Sequence, residues 1–350
     1  MDEAGGVSYS TLELEEGLVM KVFRITSIAV LVGSVAGVGV GGPIFESAFI
    51  FAPENIHVHS SSIVECSNGD LLACWYHGHG ERSADDALIQ GARKPKEAKR
   101  WSDRFLMADT PGFPDCNPIL FVAPDKQLWM IWPVILNNQW GSALLKFRTS
   151  SRYDGLPGAP EWDWQDNILL RPDDFEREFK EAVEQFKLLR KTSKKIDEYL
   201  IRLTKASEDK WTVRSGWMPR IHPLALPTGR ILLGLYSDVF DVSLIAITDN
   251  NGKTWSVSSP LVGGGNVQPS LVRKKDGTLV AMHRENGLGD KIRLCESTDD
   301  GQRWGRVYNA DLPNPGSSVE VIATKSGSWV LAYNDTTKGR HSLAVSLSED

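Results

Sequence analysis

The chain has 350 residues, a length that fits either two average domains or one large all-β domain. Hydrophobic residues make up 41% of it, and its 31 Gly, 18 Pro and 12 Trp indicate a globular, turn-rich protein and exclude extensive disorder. The formal net charge of −6 provides no general basic field, which excludes nonspecific nucleic-acid binding as the main role.

Residues 1–43 are predicted to be an N-terminal extension that contains a secretory signal peptide. Met20 is a candidate start. Lys21 and Arg24 follow it, then an apolar stretch at 25–40 and Gly-Gly-Pro at 41–43. This order predicts a secreted or periplasmic protein with no stable membrane insertion after cleavage. An uncleaved anchor, or an ordinary strand in a cytoplasmic protein, is the alternative.

The four cysteines, Cys66, Cys74, Cys116 and Cys295, include no CxxC pair and no metal-type spacing with histidine. We therefore expect buried free thiols, no metal site and no cofactor. A link between Cys66 and Cys74 is the alternative, although the intervening turn would not place them directly opposite each other.

Five segments share one pattern: an apolar strand, a polar turn and a second apolar strand, often with an aromatic residue near its end. They lie at 62–76, 118–132, 223–236, 269–284 and 318–333. Apolar runs separated by turns such as Asn-Gly or Asp-Gly predict β-hairpins. The turns at Gly229, Gly277 and Gly327 recur at about 50 residues, which is the length of a four-stranded propeller blade.

The spacing between the second and third hairpins is much longer, and the excess at 172–210 is predicted to be a helical insertion. Apolar residues recur there every three or four positions, and we expect a break near Thr192-Ser193. We expect the apolar stripe to pack on the propeller, and a lid over the site is the alternative. The stripe consists of Phe175, Phe179, Val183, Phe186, Leu189, Ile196, Leu200 and Leu203.

A second motif follows two of the hairpins. Residues 247–255 read ITDNNGKTW and residues 297–304 read STDDGQRW, and we interpret both as Asp boxes of the pattern S/T-x-D-x-G-x-x-W. In such a box, Asp and Gly form a tight turn and Trp packs beneath it. The predicted structural residues are Asp249, Gly252 and Trp255 in the first box and Asp299, Gly301 and Trp304 in the second.

On these motifs the chain resembles the sialidase, or neuraminidase, superfamily, in the branch with BNR or Asp-box repeats. The resemblance covers roughly residues 49–350. It implies an all-β propeller domain at 44–350 with six or seven blades and the helical insertion at 172–210. Because five hairpins are visible and the sequence ends where a further Asp box would begin, we expect the ring to lack one or more C-terminal blades.

The fold also predicts which side chains meet. In a propeller, residues just before the first strand of a hairpin and at the end of its second strand converge on one mouth of the central channel. This rule selects His57, His77, Arg220, His222, Tyr236 and Arg284 as candidate catalytic residues. With Trp140 and Arg340 added, it gives the candidate substrate-binding residues Asn117, Trp140, Asn266, Gln268, Asn334 and Arg340.

The resemblance implies an exo-sialidase-like hydrolase acting on terminal acidic sugars of glycans. Sialidases hold the sugar carboxylate with three arginines, and Arg220, Arg284 and Arg340 match that role. They also use a tyrosine nucleophile activated by a glutamate, and an aspartate acid/base. Tyr236 or Tyr333 would be the nucleophile, and Asp85 or Asp86, with Asp86 preferred, the acid/base. The chain departs from the family at 57–59, where His-Val-His replaces Arg-Ile-Pro.

These histidines suit a second reaction, β-elimination beside a uronic acid, as in polysaccharide lyases of the rhamnose–glucuronate type. That reaction needs a cation to neutralise the carboxylate and a base that titrates near neutrality. His57, His77 and His222 could supply these groups together with Arg220. A propeller that binds glycans without turnover is the third alternative. In each case the expected partner is a glycan or polysaccharide and not a nucleic acid.

Overall fold

The structure, a computed structural model, describes residues 21–23, 47–189, 193–287 and 289–348. Most of the predicted signal peptide, including Met20 and the apolar stretch at 25–40, lies outside these ranges, as does Thr192 at the predicted helix break. Among the residues that the structure describes, no helix is long and apolar enough to cross a membrane.

The described strands form five antiparallel sheets, which we call blades 1 to 5, with strands numbered in chain order. Blade 1 contains β2 His57–Glu65, β3 Leu71–Gly78, β4 Leu88–Lys94 and β5 Phe105–Ala108. Blade 2 contains β6 Ile119–Val122, β7 Leu128–Ile135, β8 Ala143–Ser150 and β9 Trp164–Ile168. Blade 3 contains β10 Met218–Pro219, β11 Leu224–Ala225, β12 Ile231–Ser237, β13 Val242–Thr248 and β14 Ser256–Val257.

Blade 4 contains β15 Asn266–Arg273, β16 Leu279–Glu285, β17 Lys291–Ser297 and β18 Tyr308–Pro313. Blade 5 contains β19 Glu320–Ala323, β20 Trp329–Asn334, β21 Leu343–Ser348 and, at its edge, β1 Lys21–Phe23. Within blades 1, 2 and 4 the strands pair in chain order, so each of these blades is a simple antiparallel meander.

The middle strands carry apolar side chains on both faces because a neighbouring blade covers each face. Every residue of β7, β12 and β13 is buried, whereas four of the five residues of the outer strand β9 are exposed. An antiparallel sheet with one wet face would instead alternate apolar and polar residues. The continuous burial therefore reflects the stacking of blades, which gives the all-β propeller-like fold predicted by the repeat.

The blade count differs from the six or seven predicted, because five blades are formed. The number six or seven came from the family resemblance, and five hairpins with a truncated Asp box led us to expect that C-terminal blades are missing. In the structure, β1 pairs antiparallel with β21 and supplies the fourth strand of blade 5, so this blade is completed by a segment from the start of the chain. A pairing between residues more than 300 positions apart leaves no trace in a repeat pattern.

The helical insertion lies between blades 2 and 3. It contains α1 Phe175–Leu189 and α2 Lys194–Ala206, and it extends beyond the predicted limit through a short third helix, α3 Lys210–Arg214. Most of the predicted stripe is buried, and Phe175 packs against Trp217 and Phe240 with ring centroids 5.7 and 4.9 Å apart. The stripe thus packs on blade 3, as expected of a structural element.

The two Asp boxes have matching hydrogen bonds. In the second box, Asp299 Oδ1 accepts from the main-chain N–H groups of residues 302 and 303, at 3.1 and 2.9 Å, and Gly301 has φ +85°. Trp304 Nε1 donates to the Gly301 carbonyl at 3.1 Å, which locks the ring beneath the turn. The left-handed φ is a conformation that glycine adopts without strain.

The first box corrects one assignment. Asn250, not Asp249, occupies the position of Asp299, and its Oδ1 accepts from the Thr254 N–H at 2.9 Å. Gly252 and Trp255 fill their predicted places, with the Trp255 indole N–H donating to the Gly252 carbonyl. Asp249 instead forms a two-point ion pair with Arg230, at 2.7 and 3.0 Å. The sequence contains both residues side by side, and only the turn geometry distinguishes them.

All four cysteines are free and buried, as predicted. Burial raises the pKa of the Cys66 thiol to about 11, so this thiol is protonated and unreactive at neutral pH.

Replacing the Asp-box carboxylate should destabilise blade 4. Asp299→Ala removes acceptors for two main-chain N–H groups and for the Ser297 hydroxyl, and we expect a loss of about 2 kcal/mol in the free energy of unfolding. Urea denaturation measures this change. Asp311→Ala, on an exposed strand of the same blade, should change it by less than about 0.5 kcal/mol. Equal effects of the two substitutions would contradict the role of the box.

His283 should make the fold sensitive to acid. It is completely buried in β16, and burial lowers its pKa from 6.5 to about 4. The unfolded chain therefore binds a proton that the folded protein does not, and stability falls as the pH drops from 6.5 towards 4. Between pH 7 and pH 5 we expect a loss of about 2 kcal/mol from this residue. Unfolding of His283→Gln should show a correspondingly flatter pH profile, whereas the profile of the control His341→Gln, at an exposed site, should match that of the unmodified protein.

Candidate functional site

A cavity of about 470 Å³ opens where the blades converge, and every blade contributes to its wall. Its lining is almost entirely polar, which suits a hydroxyl-rich or charged ligand better than an apolar one. The lining residues are His59 and Glu81 from blade 1, Asn117 and Trp140 from blade 2, Arg220, Tyr236, Asp238 and Asp241 from blade 3, Gln268, Arg284 and Asn286 from blade 4, and Arg340 from blade 5.

The innermost strands are irregular where they face this cavity. Ser60, Asn117 and Gln268 have left-handed backbones, with φ of 57°, 41° and 57°, and the strand register shifts at Ser60 and at Gln268. In blade 3 the inner strand is broken between β10 and β11, and Arg220 lies in the break. Bulges and breaks of this kind redirect side chains, and non-glycine residues with positive φ persist only where the surroundings hold them.

Arg220 is fixed by two serines from the first and last blades. Its Nη1 donates to Ser60 Oγ and its Nε to Ser318 Oγ, the second at 3.2 Å. Burial lowers the pKa of the Arg220 guanidinium from its ordinary value, although the group stays charged. Neither partner is a carboxylate, so the hydroxyls position the cation without neutralising it.

Two more arginines face the same space. Arg284 donates from Nη2 to Asn286 Oδ1 at 3.2 Å, and its buried Nε has no hydrogen-bond partner among the residues that the structure describes. Burial, and then repulsion from Arg340, lowers the pKa of Arg284. Arg340 donates to the Gly316 carbonyl at 2.7 Å. Among the described residues, none of the three guanidinium groups is within ion-pair distance of a carboxylate.

Tyr236 is the buried phenol of the site, with 4% of its surface exposed. Its hydroxyl accepts a hydrogen bond from Asn117 Nδ2 at 3.4 Å, and Gln268 also hydrogen-bonds it. Burial, and then the nearby Asp238, raises the pKa of Tyr236 to about 12. The phenol is therefore neutral at physiological pH and can donate a proton or a hydrogen bond.

Three carboxylates of the cavity, Glu81, Asp238 and Asp241, do not appear among the sequence candidates. Burial and the neighbouring Asp241 raise the pKa of Asp238 above its usual range, which makes this carboxylate a stronger base than an exposed one. Asp238 follows the end of β12 by one residue. The candidates were taken from strand ends only. Including the turn after β12 would have added both Asp238 and Asp241.

His59, near the start of β2, also lines the cavity. Burial, and then Arg220, lowers its pKa from 6.5, so it is neutral at pH 7. His57 lies behind it, with Nε2 3.3 Å from the Tyr76 hydroxyl, which in turn donates to Glu81 at 3.1 Å. Of the two histidines, only His59 contributes to the cavity wall.

Trp140 lies on the cavity wall at the start of a short 3-10 helix, Trp140–Ser142. The Arg82 guanidinium stacks on its ring at 5.2 Å. The Ser215 hydroxyl, which follows α3, donates to the Gly141 carbonyl at 2.9 Å and so ties the helical insertion to this segment. Trp140 therefore brings an aromatic side chain to the cavity wall, with Arg82 covering one face of its ring.

His77 and Asp86 do not reach the cavity. His77 neighbours Tyr76 in β3 and therefore points to the opposite face of the blade, where its Nε2 lies 3.5 Å from Glu54. Asp86 accepts hydrogen bonds from both the main chain and the ring of His79, and these lower its pKa. The catalytic assignments of His77 and Asp86 are therefore not supported by their positions.

Three other candidates are also directed elsewhere. His222 donates from Nδ1 to Glu320 at 2.7 Å and is not part of the cavity wall. Asn266 is fully buried and donates to the Leu261 carbonyl, in the segment that pairs with β13 of blade 3. Asn334 donates to the Ser317 hydroxyl at 3.1 Å. These residues lie near strand ends, as predicted from the hairpins. Their side chains, however, bond to groups outside the cavity wall, and the direction of a side chain depends on the pleat of its strand.

The alternative nucleophile and the alternative acid are likewise outside the cavity. Tyr333 is 1% exposed, and its hydroxyl accepts from Ser346 at 3.3 Å. Asp85 accepts from Asn138 Nδ2 at 2.8 Å. Within 21–23 and 47–348, apart from the undescribed 190–192 and 288, no group of three or more His, Cys, Asp or Glu side chains is arranged to hold a metal ion.

The fold and the cavity define a β-propeller protein with an arginine-lined polar pocket at the meeting point of its blades. Residues 206–350 match the BNR repeat-like domain family. This match covers the C-terminal part of the chain and, with the two Asp boxes, supports the predicted resemblance to sialidase-like proteins with BNR repeats.

Three solved structures illustrate the similarity. A protein of unknown function from Dyadobacter fermentans has 16% identity and a TM-score of 0.60, with 85% of this chain and 80% of that chain covered. A Hadza microbial sialidase has 15% identity and a TM-score of 0.58, with coverage of 84% and 56%. A leech intramolecular trans-sialidase, in complex with 2,7-anhydro-Neu5Ac, has 12% identity and a TM-score of 0.60, with coverage of 83% and 57%.

At these identities the similarity shows the fold alone. The chain spans a little over half of the length of the two sialidases. No curated protein sequence matches it.

The three cavity arginines, which have no carboxylate partner among the described residues, should lower the free energy of unfolding. Arg284→Met removes a partly buried cation with an unsatisfied Nε and two cationic neighbours, and we expect it to raise the free energy of unfolding by about 1 kcal/mol. Urea denaturation at low salt measures this change. Arg306→Met, at an exposed position of blade 4, is the matched control and should have no effect. A clear loss of stability in Arg284→Met would show that the guanidinium is compensated in a way that its contacts do not reveal.

Proposed function

We propose that the cavity binds the carboxylate of a terminal acidic sugar and that the protein is a sialidase-like glycoside hydrolase. The observation that carries the proposal is the convergence of Arg220, Arg284 and Arg340 on one cavity without a carboxylate partner for any of them. Desolvating a cation without a counter-charge is costly, and a bound carboxylate would offset that cost through paired N–H···O bonds. The similarity to sialidases favours an acidic sugar as the source of the carboxylate.

Tyr236 and Asp238 are the proposed reacting groups. Tyr236 lies in the cavity wall with its hydroxyl held by Asn117 and Gln268, and Asp238 lies close enough to raise its pKa. A tyrosine nucleophile needs a base to take its proton, and the raised pKa of Asp238 suits that role. Asp238 would thus fill the role that the resemblance gives to a glutamate, the base that activates the tyrosine, and not the acid/base role predicted for Asp86.

A β-eliminating lyase acting on a uronic acid is the second candidate, because one specific feature favours it. The neutral His59 lines the same cavity as the arginines and the protonated Tyr236. Elimination requires a base, a clamp for the carboxylate and an acid, and His59, the arginines and Tyr236 could fill these roles in that order. The earlier candidates His57, His77 and His222 are not needed for this reaction. For either activity, the proposed partner is a glycan or polysaccharide, and secretion or a periplasmic location stays part of the proposal.

Binding tests the arginine clamp directly. Titration calorimetry with N-acetylneuraminic acid and with glucuronic acid should show affinity for at least one acid and much weaker affinity for its methyl ester. Arg220→Ala should weaken binding of the acid at least about 30-fold while affecting the ester little, because only the acid carries the charge. Arg306→Ala is the matched control. Equal affinities for acid and ester would exclude carboxylate recognition by this cavity.

Product analysis separates the reactions. Release of free sialic acid from sialosides, lost in Tyr236→Phe, would support hydrolysis. An unsaturated uronate product from polysaccharides, detected by ultraviolet absorbance and lost in His59→Ala, would support elimination and overturn hydrolysis. Carboxylate-dependent binding with no product from either substrate class would leave a glycan-binding propeller as the function.

A further inference from the structure

We propose that Tyr199 of the helical insertion is a positioning residue that fixes the guanidinium of Arg284 in the cavity, acting through Asp241 and Asn286. This inference depends on the proposed function only for the ligand that Arg284 would bind. The insertion would then contribute to the site itself, in addition to packing on blade 3.

The four side chains form a continuous series of hydrogen bonds. The Tyr199 hydroxyl, on α2, donates to Asp241 Oδ2 in the turn between β12 and β13. Asn286 Nδ2, just after β16, donates to Asp241 Oδ1 at 2.8 Å. Arg284 Nη2 donates to Asn286 Oδ1 at 3.2 Å. The Asp241 carboxylate therefore accepts from both sides and connects the helix to blade 4.

A main-chain connection runs beside this series. The Gly265 N–H donates to the Asp241 carbonyl at 3.1 Å, and the Asn286 N–H donates to the Gly265 carbonyl at 2.7 Å. Asp241 has a left-handed backbone, with φ 50°. The main chain thus sets the distance between Asp241 and Asn286, and the side-chain bonds set the orientation of the Asn286 amide, whose oxygen faces Arg284.

Arg284 depends on this support more than the other two arginines do. Serine hydroxyls hold Arg220 at two points, and a main-chain carbonyl holds Arg340. Within the described part of the chain, Arg284 has one hydrogen bond, to Asn286, and its buried Nε has none. If the Asn286 amide turned, its NH₂ group would face the guanidinium and Arg284 would lose its acceptor.

Tyr199 is suited to hold that orientation because it stays a donor. Burial, and then the hydrogen bond to Asp241, raises the pKa of its hydroxyl, so the phenol keeps its proton throughout the physiological range. With one carboxylate oxygen occupied by Tyr199, the other is left for the Asn286 NH₂ group. The Tyr199 ring packs against the same core cluster as Phe175 and Phe179, and the hydroxyl can be removed without disturbing that interface if the ring is kept.

The test is Tyr199→Phe, which removes one oxygen and keeps the ring. The matched control is Tyr308→Phe, because the Tyr308 hydroxyl also contacts a carboxylate, Glu296 at 3.4 Å, but on the outer strand of blade 4. The first measurement needs no ligand: the Nε–H resonance of Arg284, followed by NMR in the intact protein. We expect greater motion of the Arg284 guanidinium in Tyr199→Phe and no change in Tyr308→Phe.

The second measurement is calorimetric affinity for the acidic sugar and its methyl ester. Tyr199→Phe should weaken binding of the acid roughly 2- to 10-fold and that of the ester by less, a selectivity that a merely structural defect would not produce. The substitution should also add nothing to the loss caused by Asn286→Ala, since both act through one series of bonds. Additive losses, or equal losses for acid and ester, would overturn the proposal.

The two proposals fail in different ways. If the unmodified protein binds no acidic sugar but Tyr199→Phe still mobilises Arg284, the positioning role stands and the proposed function falls. If the acid binds in a manner that requires Arg220 but Arg284 is equally ordered in Tyr199→Phe, the proposed function stands and the positioning role falls.

Discussion

The structure depends on the need of each blade to bury both of its faces. Strands such as β7 and β12 are buried throughout, and a single sheet cannot bury both of its own faces. Each blade therefore requires neighbours, and the blades fan around a common centre. Polar strand ends are left at that centre because they are the parts that no neighbouring blade covers. The cavity is thus a direct consequence of how the blades pack.

Within that cavity, electrostatic interactions matter more for the free energy than hydrophobic burial does. Arg220, Arg284 and Arg340 are held by serines, an amide and a carbonyl, none of which neutralises a guanidinium. The fold tolerates this cost because the surrounding blades are extensively packed. Stability given up at a preorganised site is typical of binding and catalytic centres, where the ligand supplies the missing charge. The irregular inner strands, with left-handed residues such as Gln268, also cost stability in order to direct side chains into the cavity.

The helical insertion contacts both the hydrophobic core and the polar cavity. Its apolar stripe is buried by the same rule that buries the blades, whereas Tyr199 contacts Asp241 at the edge of the cavity. Ser215, just beyond α3, secures the segment that carries Trp140. An element that the sequence presents as a structural addition therefore contacts two sides of the candidate site.

The sequence by itself determined the hairpins, the insertion, the buried thiols and the propeller class, because each depends on local periodicity and turn chemistry. It also selected Arg220 and Arg284, since strand ends in a propeller converge, and Arg340, which completes the clamp that the family resemblance implies. Only the tertiary structure decided which strand-end side chains face inward: His77 and His222 point away, while Asp238, one residue beyond its strand, points in. The edge pairing of β1 with β21 was equally out of reach. Pleat direction and contacts between distant residues are set by packing, and a local pattern does not encode them.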